Sequence, residues 1–116
     1  MRNFKDLIVW QKGMDLAEMV YTLTQKLPNT EKYGLISQIN RCAVSIPANI
    51  AEGCGRNTDK EFYQFLCISL GSSFELETDI LLAIRIKQLS EEAPKEVIHL
   101  LAEVQKMLQA LMAKLK

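Results

Sequence analysis

Val97, Leu101, Val104, Leu108, Leu111 and Leu115 recur at spacings of four, three, four, three and four. A helical side chain returns to the same side every 3.6 residues, so this alternation draws one apolar seam along one helix. The opposite side of this segment carries His99, Glu103, Lys106 and Lys114, a face expected to stay in water. A seam of this kind needs partners, and the rest of the chain supplies helical segments of the same type. No segment alternates apolar and polar residues with a period of two, so no sheet is expected. Three short breaks punctuate the chain: Pro28-Asn29-Thr30, Gly53 to Arg56, and Leu89-Ser90-Glu91. They leave helices over about 6–27, 31–53, 59–89 and 91–115 of the 116 residues. That length fills one domain, 1–116, with a real core. The short connections favour neighbours, which predicts an all-α, antiparallel, up-down-up-down four-helix bundle.

The first and third helices own more apolar surface than one neighbour covers. In the first, Leu7, Trp10, Met14, Ala17 and Tyr21 make one stripe, and Val9, Leu16, Val20, Leu23 and Leu27 make a second. In the third, Phe62, Phe65, Leu66, Ser69, Ser73, Leu76, Ile80 and Ala83 share one side. Tyr63, Cys67, Leu70, Phe74 and Leu81 lie about 100° round from them. The second face of each helix is expected to meet another subunit, with Phe74, Tyr63 and Val20 as its markers. Thr58 and Glu61 form a capping box for the third helix, Asn29 or Thr30 caps the second, and Ser90 caps the fourth.

The stretch Gln38 to Arg56 has the least ordinary pattern. Gln38, Arg41, Ser45, Asn49, Glu52 and Arg56 fall within an arc of roughly 60°. A surface helix normally shows long charged side chains outward; this one shows short polar groups beside Val44, Ala48 and Ala51. The stripe reads as a structural polar seam, hydrogen-bonded between helices or subunits; the competing reading is a binding or catalytic face. Pro47 removes one backbone donor and is expected to bend the helix, leaving Ser45 or Asn49 to bond a freed carbonyl or a neighbouring helix. Gly53 and Gly55 suit a left-handed C-terminal stop.

Composition excludes several functions. Fourteen Lys plus Arg balance fourteen Asp plus Glu, so no global charge draws the chain to nucleic acid or an anionic membrane. No apolar run reaches membrane-spanning length, and the opening MRNFKDLIVWQK lacks the apolar core of a secretory leader, so a cytoplasmic protein is expected. Cys42, Cys54 and Cys67 form no C-x-x-C pair and read as buried free thiols. With His99 the only histidine, no metal site or cofactor is expected. Glu75, Glu77 and Asp79 read as a solvated acidic face or as cross-interface ion pairs. Gly53-Cys54-Gly55 follows a helix and lacks the spacing of a phosphate loop. A nucleophile among Ser45, Asn49, Glu52 or the cysteines would need His99 as its base, and His99 falls on an outer face, so no enzyme is expected.

Several runs resemble one known family: Phe4, Leu7, Val9, Trp10 and Gln11; Glu31 to Arg41; Ser45 to Gly53, reading SIPANIAEG, then Gly55-Arg56; and Glu61 to Thr78. Together they resemble the four-helix-bundle proteins of intervening sequences in bacterial 23S ribosomal RNA genes. The accessory variability proteins of diversity-generating retroelements are similar. The resemblance implies a ring-like homo-oligomer, typically a pentamer, with no known enzymatic activity and no small-molecule substrate. In the retroelement branch it implies a basic ring that binds nucleic acid and a reverse transcriptase. This chain is neutral, a departure from that branch, but Arg41, Arg56 and Lys60 match basic positions of the family and are the candidates for contact with RNA or DNA. The expected role is a scaffold or interaction module; the alternative is a nucleic-acid-binding accessory protein.

Overall fold

The structure, a computed structural model, describes residues 2–31 and 33–116. Four helices make up nearly all of it: α1 (Ile8–Thr24), α2 (Leu35–Cys54), α3 (Asp59–Arg85) and α4 (Lys95–Leu115). Single 3-10 turns at Phe4–Asp6 and Asn29–Glu31 precede the first two, and no strand occurs among the described residues. Each of α2 and α4 packs closely against both α1 and α3, while α1 and α3, like α2 and α4, stand diagonally across the bundle. The result is an elongated body, 43 × 23 × 20 Å.

Helix boundaries differ from the sequence reading for local reasons. The Asn3 side chain accepts from the Lys5 N–H at 3.1 Å and holds its own short turn; Leu7 is then extended, so α1 starts at Ile8. At its other end, Lys26 and Leu27 donate to carbonyls three residues back, tightening the chain before Pro28. Asn29 and Thr30 lie in the second short turn instead of capping α2. That helix opens after Gly34, with the Glu31 carboxylate accepting the Leu35 N–H at 3.4 Å. Lys32, assigned to the second helix from sequence, lies outside the described residues. Lys87, at φ 65°, takes the left-handed conformation that closes α3, and the Gln88 N–H returns to the Ala83 carbonyl at 2.9 Å. Ser90 Oγ accepts from the Ala93 N–H, and Pro94 precedes α4. The Thr58–Glu61 box forms, with Thr58 Oγ1 accepting from the Glu61 N–H at 3.1 Å.

The core sits where the four apolar seams meet. Leu16, Ile39, Ile46, Ile50, Phe62, Leu66, Leu76, Ile80 and Leu108 are fully buried. Val97, Leu101, Val104 and Leu108 bury the heptad seam of α4, which loosens to half-buried at Leu111 and Leu115. In α1 the stripe of Val9, Leu16, Val20, Leu23 and Leu27 is wholly inside. Val20 is 0% exposed and therefore is no marker of spare surface: a valine at that register points straight at the bundle axis. The other α1 stripe is the incomplete one, with Met14 and Tyr21 exposed and Trp10 half-buried edge-to-face on Phe4. In α3 the first stripe is buried apart from half-buried Phe65, whereas Cys67, Phe74 and Leu81 are exposed.

Candidate functional site

The polar stripe of α2 lies along the line where α2 meets α3, and its members have different surroundings. Gln38 is exposed yet reaches inward, its Nε2 donating to both Asp79 oxygens at 3.2 Å. One turn on, Cys42 Sγ stands 3.8 Å from Asp79 Oδ2. Ser45 Oγ and Ser72 Oγ are 2.7 Å apart, bridging the two helices. Asn49 Nδ2 donates to the Ser45 carbonyl and hydroxyl at 2.8 and 2.9 Å, and Ser69 Oγ donates to the Ile46 carbonyl at 2.9 Å. Thus Asn49 serves the backbone near Pro47, though at Ser45 and not at the Ala43 carbonyl that the proline leaves free. The helix runs unbroken through Pro47.

These pairs fix the height of α3 against α2. Followed from Gln38 to Gly53, α2 meets Asp79, then Ser72 and Ser69, then Phe62 and Phe65. At the last contact a Cβ on Gly53 would stand 2.9 Å from Phe62 and Phe65, so glycine is present because the helices touch there. Gly55 closes α2 at φ −83°, so neither glycine provides a left-handed stop.

Asp79 is 6% exposed, which corrects its assignment to a solvated face. Burial pushes its carboxyl above the ordinary carboxylate range; the Gln38 amide, donating to the charged form, opposes this and nearby Glu75 adds to it. Burial, reinforced by Glu75 and Asp79, lifts the Cys42 thiol to about 12, so at neutral pH it remains S–H. Cys54 is also raised by burial, with Arg2 pulling the other way. Cys67 is exposed, contrary to its reading as a buried thiol, because it falls on the outer side of α3. Glu77 accepts from Gln105 of α4 at 2.9 Å.

The basic candidates do not converge. Arg41 is exposed and forms no ion pair among the described residues, and the same holds for Lys60. Arg56 lies 4.6 Å over the Phe65 ring and 3.9 Å from Glu52. Sequence reasoning passed over Arg2, which pairs with Asp59 and lies 4.4 Å over Phe62. Its position two residues from the start of the chain gave no signal. Among the described residues, no group of His, Cys, Asp and Glu is placed to hold a metal ion. Nor is any described helix long and apolar enough to cross a membrane.

An all-α protein of four helices, with a polar seam between α2 and α3 and apolar side chains left on its outer faces, is the class these observations define. The family model for the 23S rRNA-intervening sequence protein matches residues 5–110, and the chain belongs to that family. A solved structure from Bacteroides thetaiotaomicron, a protein with unknown function from the S23 ribosomal protein family, is similar to it. The two are 27% identical with a TM-score of 0.83, over 90% of this chain and 98% of the other. Comparison with curated proteins finds no match.

Proposed function

We propose that this protein is a non-enzymatic scaffold or interaction module that works as a ring-like homo-oligomer, a pentamer by analogy with its family, in the cytoplasm. One observation carries the reading. With the core filled, Met14, Tyr21 and Val44 on one side and Ile68, Phe74, Leu81, Leu82 and Ile86 on α3 are each still 44–50% exposed. Apolar side chains left this exposed along one helix face mark a candidate interaction site. The two patches are unlike, so a head-to-tail contact that closes on itself suits them better than a two-fold one. An antiparallel arrangement of the helices is supported by the falling order of α3 partners along α2. Absence of catalysis is supported by the placement of His99: it is exposed on α4, diagonally across the bundle from α2, which carries Ser45, Cys42 and Cys54. Native mass spectrometry tests the assembly, with one discrete closed oligomer expected. A 13.2 kDa species alone overturns the proposal.

A second reading, contact with RNA or DNA, draws on Arg41 and Lys60 having no ion-pair partner among the described residues. Repeated around a ring, a few cations per subunit form a continuous basic surface. Binding of structured RNA that falls steeply between low and moderate salt is the expected signature. No binding at low salt removes this reading and leaves the scaffold untouched.

A further inference from the structure

We infer that the outer strip of α3 on one copy seats in the α1–α2 groove of the next copy, at the same height along the bundle. This rests on the homo-oligomer proposed above and specifies how its copies meet. The groove is lined by Tyr21, Val44 and Ala48, with Arg41 and Glu52 at its rims. The strip consists of Ile68, Gly71 and Phe74. A Cβ on Gly71 would have nothing within 4 Å in the single copy, so a glycine in mid-helix provides a notch that the protomer itself does not use.

The partner is identified by register and charge. Within one chain, Ser45 bonds Ser72 and the Ile46 carbonyl accepts from Ser69. Val44 and Ala48 therefore stand at the height of Ile68 to Phe74. A rotation about an axis parallel to the bundle preserves height, so these two groups face each other across neighbouring copies. Along α2 the groove then presents a cation, Arg41, the apolar pair, and an anion, Glu52. Along α3 the strip presents an anion, Glu75, at the height of Arg41, then the apolar group, and then a cation, Lys60, about one helical turn beyond the height of Glu52. Among the described residues Arg41, Glu75 and Lys60 form no ion pair, and the ion pair Glu52 makes there is the 3.9 Å contact with Arg56, four residues on. Opposite order along the same axis is what a second copy of this chain supplies.

The native Cys67 makes the arrangement testable, since it is exposed on the strip while Cys42 and Cys54 are buried. In Ala48→Cys, each copy then carries a reactive thiol on both surfaces. A short bis-maleimide is expected to give a denaturing-gel ladder in steps of 13.2 kDa. Wild type and Ala48→Cys/Cys67→Ser, each with one accessible thiol, should give none. A ladder that stops at the dimer overturns the head-to-tail seating. An Ala48→Cys protein that sediments as an oligomer but does not cross-link overturns the seating and leaves the scaffold reading standing. If instead the wild type is monomeric, both fail.

Discussion

Asp79 is the residue whose environment departs furthest from what its type prefers. A carboxyl raised by burial binds its proton more tightly in the folded protein than in the unfolded chain. Its contribution to stability is therefore complete below the ordinary carboxylate value of 3.8 and is lost as pH rises through the higher folded value. Asp79→Asn keeps an acceptor for Gln38 and removes the charge. The variant should be relatively more stable at neutral pH and show a flatter stability–pH profile, measured by urea denaturation from about pH 4 upward to about neutral pH. An unchanged profile would place the charge in water after all. The thiols give a second prediction. A colorimetric thiol reagent should modify Cys67 alone in the native protein and all three cysteines in denaturant. Rapid native modification of Cys42 would contradict the burial that keeps it protonated.

At the scale of elements, the glycines separate what is needed inside the protomer from what is needed outside it. Gly53→Ala forces a Cβ to 2.9 Å from two phenylalanines. It should destabilise the fold by about 1–3 kcal/mol, the usual cost of overpacking. Gly71→Ala meets nothing in the single copy. On helix propensity alone it should stabilise by about 1 kcal/mol. If α3 is the docking strip, the same change instead weakens assembly, and thermal denaturation read alongside oligomer mass separates the two effects. The helices themselves were legible in the sequence, because 3.6-residue periodicity and Thr58, Pro28 and Ser90 mark them. Their ends were less so: the extended Leu7 and the left-handed Lys87 depend on how flanking turns close. Of the candidate site, the stripe Gln38, Arg41, Ser45, Asn49 and Glu52 could be read as one arc from spacing. That Asp79 lies beneath Gln38, or that Ser72 meets Ser45, depends on the height of α3 against α2, and no single-helix pattern encodes it. Val20 and Tyr21 show the same gap. Both looked like stripe residues, and only the placement of α2 and α4 decides which faces the axis.

For the whole molecule, the fold leaves its most informative residues on the outside. A body 20–23 Å across, built from four helices of which each touches two others, covers one face of every helix and little of a second. Surface area falls too slowly with size for so small a unit to hide two apolar faces of a long helix. Phe74 and Tyr21, both nearly half exposed, are the direct expression of that limit. Sedimentation velocity over a range of micromolar concentrations, on the wild type and on Phe74→Asp, tests the consequence. The wild type should sediment as a multiple of 13.2 kDa and the variant as a folded single copy. A wild-type protein that stays at 13.2 kDa throughout contradicts the account.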